Sequence, residues 1–391
     1  MIDGFTTLLL LTVASGGFNG TFPVFIKTER VLAARVHPII FQLYKSVWVC
    51  IFGCGCAAVR LVRGLPLEFT PWASLSAAAW IPSGVFTIIA VPLVGVGASV
   101  LTTAAVGSAL SFLVFWLAFH EKMKVHDIGG HELVLAPFYM GGVLVGMVCL
   151  VLSHQAALRA NERRRILEPE VTIAAGSPGP DAVANRLAWS ASPPLLEGAS
   201  SDDDAYERRL LAADKRPHPL LALRLRTLLG YSSAALSGVF SALQYGLVCA
   251  GQRASGVTPG SVDERFDALG SWLALFGLSA LLCTLFAWLV AAAAERARGQ
   301  PVPSVQFGVM WLPGSCAGIC WSIGSICATV AVLRGGNAVT MAQINAAGLI
   351  TSGAWGLLWY REIRGRPAIA WVAAAAFTAA MAILLGLEKQ Q

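Results

Sequence analysis

The 391-residue sequence predicts an all-α membrane protein of ten transmembrane helices, arranged as two inverted-topology five-helix repeats. Three observations carry that expectation. Only 13% of the residues are charged while 56% are hydrophobic, with a mean hydropathy of +0.67. The apolar residues fall into runs of membrane-crossing length, and the second half of the chain repeats landmarks of the first.

Soluble domains carry about 25% charged residues, so half the usual solvating surface is missing here. What charge exists is concentrated: residues 155–226 hold 11 Lys/Arg and 10 Asp/Glu. The rest cannot cover a globular surface with water-loving groups, and its solvent must be lipid. A soluble enzyme, a disordered protein and a nucleic-acid binder are excluded. The net charge of +6 lies in loops and bears on orientation instead.

A crossing needs about 20 apolar residues. Residues 4–26 form the first; with Asp3 as the only early charge and with Asn19 and Pro23 inside the run, it reads as a retained span rather than a signal peptide. Residues 38–59 form the second, interrupted only by Lys45. Residues 69–119 contain 51 positions without Asp, Glu, Lys, Arg or His, which makes two spans joined near Gly95-Val96-Gly97. The remaining runs are 133–153, 227–252, 268–294, 299–333, 335–360 and 367–387. Lipid satisfies no backbone hydrogen bonds, and runs without period-2 alternation exclude a barrel, so each span is helical. The organisation is a first repeat over 1–154, a polar, largely disordered linker over 155–226, and a second repeat over 227–391. The linker has seven prolines, Asp202-Asp203-Asp204 and Arg163-Arg164-Arg165. Within it, 210–229 offers an amphipathic extension of the sixth helix.

A shift of 241 superimposes Ser74 on Ser315, Trp80 on Trp321, Gly95 on Gly336, Gly107 on Gly348, Ser111 on Ser352 and Glu121 on Glu362. A shift of 222 places Ser15-Gly16-Gly17-Phe18 on Ser237-Gly238-Val239-Phe240. Five helices per repeat is an odd number, so the second copy enters the membrane from the opposite side. Inverted repeats belong to secondary transporters, with a site near the midplane where the repeats meet.

Short segments add a resemblance. These are Gly20-Thr21-Phe22-Pro23-Val24, Phe41-Gln42, the stretch from Pro313 through Gly318 to Trp321, Trp355-Gly356, and Arg361-Glu362-Ile363-Arg364-Gly365. With a Glu closing the fourth and ninth helices, the chain resembles the drug/metabolite transporter superfamily. Within it, the chain resembles the glucose/ribose-porter and transmembrane-protein-144-like carbohydrate-transporter branch. The resemblance covers both halves but not the linker, and implies a small polar, carbohydrate-like solute. The sequence departs from it at Lys45, and at Ile81-Pro82-Ser83-Gly84, where a Gly-Asn pair is expected after the Trp.

The candidate solute-binding residues follow from polarity inside the spans. Burying an ammonium at a helix centre costs about 2.5–3.5 kcal/mol, so Lys45 should face water, a partner or solute; the bland alternative is snorkelling, since it lies about 10 Å past Pro38. Gln42 shares its helical face. On the ninth helix, Asn337, Thr340, Asn345, Gly348, Thr351 and Ser352 fall within an arc of about 140°. Small residues there also serve helix packing, which explains the asparagines poorly. Trp80 and Trp321 present faces for a sugar ring or anchor at an interface. Asn19, Gln244 and Tyr245 lie on the repeat-matched first and sixth helices. These residues are expected to converge on one cavity.

Other chemistries find little support. His120-Glu121, His126-Asp127 and His131-Glu132 have no HExxH spacing and read as a solvated loop. The nine cysteines sit in spans as packing residues. No nucleotide-binding or hydrolase motif occurs, and no cofactor is expected. The expectation is a non-enzymatic carrier of a carbohydrate-like solute in a lipid bilayer, its coupling ion open. Carriers of phosphorylated or nucleotide sugars, amines or divalent metals, and a non-transporting scaffold or receptor, are the alternatives. Basic residues number 8 in the loops on the side of the termini and 14 opposite, once five in mid-linker and Lys45 are set aside. Positive-inside then puts the linker in the cytoplasm, whereas the superfamily usually has cytoplasmic termini.

Overall fold

The computed structural model describes residues 4–34, 36–67, 69–167, 219–254, 262–360 and 363–389. Residues 1–157 and 227–391 belong to one compact unit, and 158–226 to a second. The first unit is a bundle of helices. α1 (Gly4–Thr21) passes into a 3₁₀ turn (Phe22–Lys27) at Pro23, followed by the short α2 (Glu29–Ala33). Then come α3 (Pro38–Val62), α4 (Pro71–Val94) and α5 (Val96–Leu113), the last ending in a π turn over Val114–Ala118. A hairpin of β1 (His126–Ile128) and β2 (His131–Leu133) precedes α6 (Ala136–Leu167). The second half comprises α7 (Pro219–Ala254), α8 (Val262–Ala297), α9 (Phe307–Gly335), α10 (Asn337–Leu358) and α11 (Arg366–Leu387).

Among the described residues, nine helices are long and apolar enough to cross a membrane. The chain is a helical, multi-pass membrane protein. α10 is long enough but is not one of the nine, because Asn337, Thr340, Gln343, Asn345, Thr351 and Ser352 dilute its apolar content. α6 runs on to Leu167 and α7 begins at Pro219, so both ends of the expected linker are helical. Its middle, 168–218, lies outside the described residues, as does Glu362.

Local chemistry explains the helix ends. Pro38 and Pro71 open α3 and α4, where a missing N–H costs nothing. Gly95, between α4 and α5, has φ 84° and ψ 160°; Gly336, between α9 and α10, has φ 75° and ψ 162°. Such tight joints need glycine. Close approaches need it too. A Cβ on Gly16 of α1 would fall 2.8 Å from the amide nitrogen of Gly348 on α10. One on Gly238 of α7 would fall 3.0 Å from that of Gly107 on α5.

Between helices, buried hydroxyls bond across the contacts, as small polar residues do in membrane bundles. Ser46 meets Thr284 at 2.7 Å, joining α3 to α8, and Ser76 donates to the Gln244 carbonyl at 2.8 Å, joining α4 to α7.

Candidate functional site

A cavity opens where α1, α3, α4, α5, α7, α9 and α10 face one another. It offers about 140 Å³ to the centres of water molecules, enough for a water cluster or one small solute. Eight expected residues line it: Asn19, Lys45, Trp80, Gln244, Tyr245, Trp321, Asn345 and Gly348. Gln42 stands directly behind, its Oε1 accepting from Lys45 Nζ at 3.3 Å.

Lys45 is the centre of the arrangement. It is 1% exposed, so it does not snorkel out of the bundle. Its Nζ lies 4.6 Å from the Phe22 ring centroid, 5.1 Å from Trp80 and 5.5 Å from Trp321. Trp80 and Trp321 lie against each other, with centroids 4.1 Å apart and planes tilted by 32°. Desolvated cation–π contacts of this kind are worth about 2 kcal/mol or more each. Among the described residues no carboxylate pairs with Lys45.

The rest of the wall is neutral and carries hydroxyls. Thr87 Oγ1 and Ser237 Oγ are 2.7 Å apart, Ser83 donates to the Ser237 carbonyl at 3.0 Å, and Ser237 donates back to the Ser83 carbonyl at 2.9 Å. Asn345 Nδ2 donates to Ser108 Oγ at 2.9 Å, fixing α10 against α5. Asn19 Nδ2 reaches Ser15 Oγ at 3.3 Å, while its buried Oδ1 has no partner among the described residues.

Four expected residues lie elsewhere, Thr351 and Ser352 of α10 among them. Asn337 and Thr340 do not line the cavity. Asn337 is eight residues before Asn345, about 12 Å along the axis, so sharing a helical face does not bring the two to one depth. It begins α10, and its backbone N–H donates to Glu121 Oε1 at 3.0 Å. Glu121 is therefore not in a solvated loop. Its Oε2 also pairs with Lys389 Nζ at 2.8 Å, placing negative charge at a helix N-terminus, where it is favourable. His126 and His131 lie in the hairpin, with His126 Nε2 2.8 Å from Glu388 Oε2.

Sequence reasoning missed Phe22, Ser83, Thr87, Thr103, Ser237 and Ser241 as lining residues. The signal existed for two of them: Ser237 is the repeat-mate of Ser15, and Ser83 directly follows the Trp80-Ile81-Pro82 element.

No family model and no curated protein matches the chain. A solved structure, described only as the crystal structure of a protein, is similar to it with 15% identity and a TM-score of 0.49. That similarity covers 97% of this chain and 98% of the other.

Proposed function

We propose that the protein is a secondary transporter of drug/metabolite-transporter type that carries a small, hydroxylated, carbohydrate-like solute by alternating access. The observation carrying this reading is the cavity itself. Its wall combines neutral hydroxyls and amides with two tryptophan faces, and helices from both halves of the chain contribute. Hydroxyls and amides match a polyhydroxylated solute, and aromatic faces cover the apolar side of a sugar ring. Among the described residues the titratable lining side chains are Lys45 and Tyr245, and the reading is of a carrier.

With α10 as the tenth span, the chain becomes five helices plus five in inverted repeat, and paired geometry supports this. Ser15 Oγ donates to the Gly324 carbonyl at 2.8 Å; its shifted counterpart, Ser237 Oγ to the Ser83 carbonyl, is 2.9 Å. The Gly16–Gly348 approach has its counterpart in Gly238–Gly107, and Gly95 and Gly336 share one backbone conformation. Inverted repeats exchange two such arrangements around a fixed site.

Uptake of labelled solutes into proteoliposomes, with and without proton and sodium gradients, tests the reading. Saturable uptake of a monosaccharide or close derivative is expected. Empty-vesicle rates for every carbohydrate overturn it.

A further inference from the structure

We infer that the transported solute is an anion of single charge, a hydroxylated monocarboxylate of the sugar-acid class, whose carboxylate sits at the Lys45 ammonium. This rests on the carrier reading and specifies its substrate.

The cavity is electrostatically unbalanced. Among the described residues its lining contains one cationic side chain and no Asp or Glu. Lys45 is 1% exposed, and its nearest groups are the Gln42 amide and three aromatic rings, which attract a cation without neutralising it. An ammonium has three N–H donors; Gln42 Oε1 takes one, and two remain for a ligand. Behind it, Gln42 Nε2 is buried with no partner among the described residues, so the amide that holds the ammonium is itself a donor and brings no negative charge. Excess donors at a buried cation match a carboxylate, which accepts through two oxygens.

The rest of the lining differs in kind. Asn19 Oδ1 is a buried acceptor without a partner among the described residues, and the hydroxyls of Ser241, Thr87 and Ser237 line the cavity. Those groups exchange hydrogen bonds with solute hydroxyls. Phe22, Trp80 and Trp321 lie around the ammonium and line the cavity, so apolar ring atoms bound the space beside it.

Charge arithmetic separates the candidates. A neutral sugar leaves the ammonium without a counter-ion, and an amine adds a second cation. A phosphate monoester brings about −1.5 to −2, more than one lysine balances. One carboxylate balances it.

The test uses the full-length protein in lipid nanodiscs and equilibrium binding of labelled D-glucuronate, D-glucose, glucose 6-phosphate and glucosamine. D-Glucuronate should bind at least tenfold tighter than each of the other three. Lys45→Gln should lower the glucuronate-to-glucose affinity ratio at least tenfold, and Lys45→Arg should restore most of it. Because the wild-type panel needs no variant, a poorly folding Lys45→Gln protein leaves the test intact. Glucose or glucose 6-phosphate binding as tightly as glucuronate overturns the inference, as does absence of glucuronate binding. Saturable glucose uptake without glucuronate preference removes the inference alone. Glucuronate bound but never carried into proteoliposomes removes the carrier reading and leaves the anion site.

Discussion

Ser241 is the residue at which solute binding separates most cleanly from folding. Its hydroxyl lines the cavity, whereas Ser237 is tied into the Ser83–Thr87 cluster and Asn345 holds Ser108. Ser241→Ala should therefore raise the KM for solute roughly three- to tenfold, about one hydrogen bond, with an unchanged melting temperature. Asn345→Leu strands the Ser108 hydroxyl and should cost about 1–3 kcal/mol of stability as well as uptake. Melting curves in detergent alongside uptake kinetics check both; a Ser241→Ala protein that melts early shows the hydroxyl to be structural. Lys45, Gln42, Trp80 and Trp321 were legible in the sequence because polarity or bulk inside an apolar span is costly unless used. Thr87, Thr103 and Ser241 were not, since serine and threonine also pack helices. Asn337 misled for a different reason: an angular stripe carries no depth.

At the scale of elements, adjacent glycines on α1 should behave in opposite ways. Gly16 faces backbone atoms of α10, which cannot yield, while Gly17 has open space where a Cβ would sit. Gly16→Ala should destabilise by about 1–3 kcal/mol through overpacking. Gly17→Ala should be neutral or stabilising by up to about 1 kcal/mol through helix propensity. Equal melting shifts for the two variants would remove the packing explanation. The start of α3 adds a pH response. His37 Nδ1 accepts from the Ile39 N–H at 3.2 Å, which requires a neutral ring; burial lowers its pKa, with Glu295 opposing more weakly. The unfolded chain then binds the proton more readily, so stability is fully present above about pH 6.5 and falls as pH drops below it. His37→Asn keeps a capping acceptor without titrating. Between pH 7.5 and 5.5, wild type should lose more melting temperature than this variant.

For the whole molecule, the sequence already carried the helical multi-pass class, because membrane-length apolar runs have few other uses. It did not carry which end of the cavity is shut, because that depends on contacts hundreds of residues apart. The lining favours one end: Asn19, Gly20, Phe22 and Pro23 are the last residues of α1 and its following turn. Pro23 and Leu349 are shared with a second pocket reaching Gly97, His154 and Tyr360. At the other end Glu121 binds the first amides of α10 and the Lys389 ammonium, Lys124 N–H donates to the Glu388 carbonyl at 2.8 Å, and Arg253 donates to the Phe119 carbonyl at 3.0 Å. These contacts tie α10, the chain after α5, α7 and the C-terminal residues together, and on the proposed carrier reading they are the closed gate. Alternating access then requires them to separate when the opposite end closes. Cys249 on α7 reports this: it is buried, within electrostatic reach of Glu121, Arg253 and Lys389. Glu121→Ala removes both the helix cap and the Lys389 ion pair, and should raise alkylation of Cys249 by a membrane-impermeant maleimide at least severalfold, mapped by peptide mass spectrometry against the other eight cysteines. Glu121→Gln, which keeps an acceptor for the α10 amides but loses the charge, should fall between. If Cys249 reacts at the same slow rate in all three proteins, this end does not open through Glu121, and the ion pair only anchors the C-terminal residues.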